Sequence, residues 1–375
     1  MTILDRYILR TFLFNFICWN ICFIGIFVVF DLFTNFDALS SAGKAAGNLP
    51  KVLFLYYFFK SLPLTLLLGS ALMLGSAMVT AAVLIRNNEI IPIQAAGVPT
   101  LRIIQPLIWS VICVSAAFFL MQEFVLPAVQ DRITMTPADY AEDKGTLFNV
   151  TLDNETGTRI LGQRVFRRER RISEPDFNLS SPAVKQPVRI LAENGYQQPA
   201  TKQHPAGYLL TDVRNKEITK SPSVMFDGKP ILITPPDAPD WLKPDQCFVV
   251  SNVPFESLAS VDAWKYASVL TLLSAANNKS LDAGTSIHAT IHSRLIQPFL
   301  DITLFFLAFP LLFYGNKNVF KSMGQICLIL FGFMLVCYTC RFIGINYNMP
   351  VLGSWLPLII FTPFAVNQYF QLKQI

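Results

Sequence analysis

Charge is scarce in this chain. Asp, Glu, Lys and Arg make up 15% of its 375 residues, while hydrophobic residues make up 53%. Soluble domains carry about a quarter charged residues. The shortage therefore excludes an ordinary soluble protein, and a mean hydropathy of +0.44 agrees. No basic block of the kind that tracks nucleic acid is present, and the net charge is only +5. The chain has no GxxxxGK[ST], no HExxH and no GxSxG, so the sequence signatures of a phosphate-binding loop, a zinc-protease helix and a hydrolase nucleophile turn are missing. Cysteine pairs are lacking where they would matter. Six of the seven cysteines lie in apolar stretches and only Cys247 lies in the polar middle, which excludes a disulfide framework there. No spacing suggests a zinc site. His288 and His292 share a helix face at i, i+4 but have no third ligand nearby, so they read as structural rather than as metal ligands, and no cofactor is expected.

What the chain does have is long apolar runs at its two ends. Thr11–Phe30 contains no charge and has the ~20 residues that cross a bilayer as a helix. It is too long for the apolar core of a signal peptide and is followed by no small-residue cleavage site. Val52–Ile85 reads as one long tilted helix, with Pro63 tolerated as a kink and Ala71, Gly75, Ala77 and Ala81 allowing close packing. A third span runs from Ile103 to about Val125. Three more close the chain, about Leu295–Tyr314, Met323–Cys340 and Val351–Phe370. No internal repeat is evident, which argues against an inverted-repeat transporter.

Between the third and fourth spans the composition turns polar. Short β-like runs at Thr146–Leu152, Arg159–Phe166, Val188–Leu191, Tyr208–Val213, Val224–Phe226, Ile231–Thr234 and Phe248–Val253 are separated by Pro, Gly, Asn and Asp. Such spacing predicts an all-β sandwich or jelly roll. Trp264–Ala276 reads as a helix leading back to the membrane. The expected organisation is residues 1–126 with spans one to three, 127–286 as a jellyroll-like domain, and 287–375 with spans four to six.

Six spans place both termini on one side. Arg6, Arg10, Arg86, Arg102, Lys317, Lys321 and Lys373 fall on that side and outnumber Lys44, Lys51 and Arg341 on the other. The positive-inside rule makes the richer side cytoplasmic and sends the β domain outward. The cytoplasmic segment Arg86–Arg102 carries the signals of a short helix near 87–97. Asn87 or Asn88 can cap its start, and Glu89 suits the first turn. Pro92 falls early, Gly97 suits a left-handed stop and Pro99 prevents continuation. A short capped helix between two spans is suited to dock a soluble partner. The alternative is a loop helix resting on lipid headgroups.

Arg86, Glu89, Gln94, Ala95 and Gly97 match the coupling-helix pattern of the lipopolysaccharide export system permease family (LptF/LptG), which the chain resembles over its whole length. Leu4-Asp5-Arg6-Tyr7-Ile8 is similar to the family's opening, and Gln297-Pro298 to the start of its fourth span. The resemblance implies an ABC-type permease subunit that extracts lipopolysaccharide from the inner membrane. It also implies partners: a second LptF/LptG-type permease, a cytoplasmic ABC ATPase (LptB-like) that hydrolyses the ATP, and periplasmic jellyroll bridge proteins (LptC/LptA-like). By carry-over, Arg86, Glu89, Gln94 and Gly97 form the ATPase-coupling site. The chain departs from the family at the outer end of the first span, where Asp31 and Asp37 stand in place of lysines. Asp31, Asp37 and Arg341 are the candidates for a lipid path or gate, with an Arg341–Asp31 pair across spans one and five as one arrangement. A force-transmitting subunit that moves no lipid, and a membrane-anchored periplasmic binding protein, are the alternatives.

Overall fold

A computed structural model describes residues 3–137, 145–167, 169–180, 187–201, 204–259, 263–281, 284–312 and 319–374. The chain divides into two compact units. One comprises Met1–Phe36, Leu53–Val129 and Thr285–Ile375; the other comprises Asp37–Val52 and Gln130–Gly284.

The first unit is helical. Its elements begin with α1 (Ile3–Ala45), α2 (Leu49–Leu67), α3 (Gly69–Arg86), α4 (Ile90–Ala95) and α5 (Thr100–Leu120). A π-helical turn, Met121–Val125, then leads into α6 (Leu126–Ile133), so the third span continues past its expected end at Val125. Six helices among the described residues are long and apolar enough to cross a membrane. At about 1.5 Å per residue the 43-residue α1 exceeds the ~30 Å hydrocarbon core, and its last turns belong to the second unit.

The run expected as one helix over Val52–Ile85 is instead two, broken at Leu68, whose ψ is 0°. Pro63 removes a ladder donor just upstream, and Gly69 adds no side chain to stiffen the joint. The Leu68 N–H still bonds the Leu64 carbonyl, and the Leu72 N–H bonds that of Leu68. The break is a bend, and α3 alone counts as the spanning piece. Ala77 and Ala81 on α3 are fully buried beside Ile104 and Leu107 of α5. Helices in lipid gain little from hydrophobicity, so such close fits carry the association.

The second unit is antiparallel β. Among the described residues, eight of twelve strands form one sheet, in the order β1 (Thr146–Leu147), β4 (Arg164–Phe166), β5 (Arg171–Ser173), β8 (Asn194–Gln198), β9 (Gly207–Thr211), β12 (Cys247–Val250), β11 (Lys229–Ile233) and β10 (Val224–Phe226). A four-stranded sheet has the order β2 (Thr151–Asp153), β3 (Thr158–Leu161), β6 (Asp176–Leu179) and β7 (Val188–Leu191). From β2 to β9 the chain changes sheet after every two strands, which gives the domain its jellyroll-like character.

Two of the expected runs are cut by these crossings. Thr146–Leu152 supplies β1 and β2, and Arg159–Phe166 supplies β3 and β4, each to opposite sheets. Gly162 makes the second corner. A Cβ there would meet the Ile172 and Phe148 side chains. Ile160, Val165, Ile172, Phe177, Tyr208 and Leu210 fill the core, and each large side chain buried there contributes roughly 1.5–3 kcal/mol.

After the short α7 (Phe255–Ala259) comes α8 (Val269–Ala276). It starts later than the expected Trp264 because Ser268 caps it, accepting from the Thr271 N–H. Three helices then complete the first unit: α9 (Gly284–Ala308), α10 (Val319–Asn346) and α11 (Pro350–Gln374).

Candidate functional site

The segment between α3 and α5 is built from two left-handed residues. Asn88 has φ +53°. Its N–H bonds the Ile85 carbonyl, and the Glu89 N–H bonds that of Leu84 at 3.0 Å. Asn88 thus ends α3 rather than starting α4, and no side chain caps α4. Asn87 turns to Glu89 instead, its amide donating to Oε1 at 3.1 Å. Gly97, at φ +80°, stops α4 as expected. The Val98 N–H reaches back to the Ile93 carbonyl at 3.3 Å, a closure that favours glycine. Pro99 is extended and opens α5.

Only six residues remain for α4. Ile90 is buried under it, while Ile91 is 65% exposed and Pro92, Gln94 and Ala95 are exposed beside it. The Gln94 amide donates to Thr100 Oγ1 at 2.9 Å, which ties the end of α4 to the start of α5. Arg86 is exposed.

The first turns of α1 meet this segment. Tyr7 Oη donates to Glu89 Oε1 at 3.2 Å. Asp5 takes both arms of Arg102, with Nη1 3.0 Å from Oδ1 and Nη2 3.2 Å from Oδ2. Nη1 of Arg102 also donates to Gln105 at 3.1 Å. The opening Leu4-Asp5-Arg6-Tyr7-Ile8 and the α4 segment are therefore one structure, although more than eighty positions separate Tyr7 from Glu89.

Two sets of buried charges lie on α9. Asp301 on α9 accepts from Ser70 of α3 at 2.5 Å, from Ser115 of α5 at 2.9 Å and from Gln297 at 2.9 Å. Arg294, 3% exposed, faces Glu123 of the π turn at 3.7 Å. An extra residue per turn re-aims a side chain at such a bulge, and here it points Glu123 inward. Asp301, Arg294 and Glu123 are not among the site residues expected from the sequence. Their signal was a charge within an apolar run, which usually marks a cavity or a pair.

The three lipid-path candidates do not come together. Asp31 accepts from Asn35 of its own helix at 3.1 Å and lies close to Tyr57 and Lys60 of α2. Arg341 donates to Thr290 of α9 at 3.2 Å rather than pairing with Asp31. Asp37 is exposed. His292 lies on α9 with Nδ1 buried.

Six apolar spans interrupted by a two-sheet β domain, with one short helix tied to the first residues, define a multi-pass membrane protein. The family model for the lipopolysaccharide export system permease LptF/LptG matches residues 6–369, and the chain belongs to that family. A search of curated proteins gives no match. The protein is thus a multi-pass inner-membrane permease of lipopolysaccharide export, of a family whose members carry no ATPase of their own.

Proposed function

We propose that the chain is the permease half of an ABC-type exporter. Its α4 segment docks on a cytoplasmic ATPase subunit, and it pairs with a second permease of the same family. Lipopolysaccharide, or a related glycolipid, leaves the outer leaflet of the inner membrane along the spans and passes through the β domain to a periplasmic jellyroll bridge. Both termini are cytoplasmic in this reading. The exposed cations Arg6, Arg10, Arg86 and Lys321 support that orientation; Lys317 and the side chain of Lys373 lie outside the described residues.

The observation that carries the reading is the joint between Tyr7, Asn87 and Glu89. It holds a carboxylate at the start of α4, where an anion is favoured, and leaves one edge of α4 exposed. Glu89 then meets a basic groove on the ATPase, and Arg86, exposed one turn earlier, orients the approach. Support for a second permease comes from α1 and α10, whose apolar windows are only 6% and 11% buried within the chain.

Glu89→Ala in a co-expressed complex tests the coupling role. Recovery of the ATPase with the permease, or lipid release per ATP hydrolysed, should fall. Normal values of both would remove Glu89 from the coupling site. The acids Asp31 and Asp37, standing where family members carry lysines, favour a second reading in which the chain transmits force without moving lipid. Glycolipid bound between the spans of the purified complex would exclude it.

A further inference from the structure

Asp301 is 3% exposed on a helix apolar enough to cross a membrane. Its carboxyl meets only neutral partners: Ser70 at 2.5 Å, Ser115 at 2.9 Å and Gln297 at 2.9 Å. Gln297 also donates to Ser70 Oγ at 3.1 Å. None of the ion pairs among the described residues includes Asp301.

The charged and titratable groups on the surrounding helices are engaged elsewhere or distant along the chain. On α9, Arg294 lies two turns away and faces Glu123. The charge nearest on α3 is Arg86, at its far end, and α5 has Arg102, held by Asp5. From α10 come Cys337, close enough to feel the carboxyl, and Arg341, held by Thr290. From α11 comes Tyr369, in ring contact with Phe306.

A carboxylate buried without a counter-charge is costly, and such groups neutralise instead. A proton fits here: oxygens 2.5 Å apart are at the separation of a short O–H···O bond, and no cluster of three or more His, Cys, Asp or Glu that could hold a metal ion lies among the described residues. We propose that Asp301 is a proton-binding site in the interior of the spanning helices, its carboxyl enclosed by Ser70, Ser115 and Gln297.

The proton can leave to water only when α3 and α5 part from α9 and admit solvent, so carboxyl and proton separate as that interface opens. Because α3 and α5 flank α4, this step lies between the docking segment and α9, a consequence that rests on the export reading.

Infrared spectroscopy of the full chain in a detergent free of ester and carboxyl groups tests the site without requiring transport. The wild type should show the carbonyl band of a protonated, buried carboxylic acid at neutral pH. Asp301→Asn should lose it. Ser70→Ala, which keeps the acid but removes its partner, should shift the band, an effect that helix packing alone would not produce. Absence of the band in the wild type, or its persistence in Asp301→Asn, overturns the assignment. Loss of the wild-type band on adding sodium at fixed pH overturns it in favour of a metal cation. Failure of the band leaves the Glu89 experiment untouched, and failure of the export reading leaves the band untouched.

Discussion

The spanning helices are of two kinds. The apolar windows of α3 and α9 are 61% and 56% buried within the chain, whereas those of α1 and α10 are 6% and 11% buried. The interior pair is also the less apolar, with mean hydropathies of 1.5 and 1.9 against 2.3 and 2.2. What separates them is where the polar groups go. Ser70, Ser76 and Thr80 on α3, and Arg294, Asp301 and Thr303 on α9, are buried. In lipid a polar side chain seeks a protein partner, so the helices that carry internal polar groups become the interior. The outer helices leave their apolar faces for lipid or for another chain.

The largest effect should come from breaking an interior pair. Arg294→Ala leaves Glu123 buried without its cation and should cost about 3–5 kcal/mol, read as lost accumulation and a lower Tm in detergent. A Tm close to wild type would mean that the pair is solvated. Next comes a matched pair of insertions. Ala77→Leu on α3 overpacks a fully buried position and should cost about 1–3 kcal/mol. Gly332→Leu on α10 enters open space and should leave the lone chain's Tm unchanged while reducing recovery of a paired permease. Equal destabilisation by both would erase the distinction between the two kinds of helix.

Thiol labelling draws the same contrast without substitution. Cys22, Cys113 and Cys327 are exposed on helices, whereas Cys247 is buried in the β core, where burial pushes its thiol up to about 12. In mild detergent, where water reaches the outer faces of the spans, a small maleimide should modify the first three and reach Cys247 only after unfolding. Modification of native Cys247 would show the β core to be open.

The smallest effect concerns the β domain in acid. Lys229, 3.3 Å away, and Ser280 hold the Glu155 carboxyl below its ordinary value. A depressed folded value adds stability that is complete above the ordinary glutamate range and lost as pH falls through the folded one. Glu155→Gln should therefore cost about 0.5 kcal/mol or less near neutrality, given the exposure of Lys229. That difference should vanish below roughly pH 4. A variant penalty that persists in strong acid would assign the role to packing.

Much of this was legible in the sequence. Apolar runs located the spans because a bilayer imposes a length, and Gly97 and Pro99 located the end of α4 because their backbone limits are local. The strands β5, β6 and β8 escaped notice. Arg171–Ser173, Asp176–Leu179 and Asn194–Gln198 are short and mostly polar, and it is main-chain pairing with neighbours distant in sequence that makes them strands. The corner at Gly162 was hidden for a related reason: the apolar pattern of Arg159–Phe166 continues while the chain changes sheet. Asn88 looked like a helix start because asparagine serves both ends, and only its backbone angle decides. The contacts of Tyr7 with Glu89, and of Ser70 and Ser115 with Asp301, depend on how helices cross. No local pattern records that.

The two left-handed residues that bracket α4 make it a module with its own grammar. Asn88 and Gly97 fix where the segment begins and ends, so its exposed residues Ile91, Pro92 and Ala95 can be rewritten without disturbing either span. Inserting or deleting one residue between them would turn the exposed face by about 100°, while a substitution at Ile91 or Ala95 would change only what that face presents. Partner choice could therefore diverge quickly among relatives by point change, and only rarely by change of length.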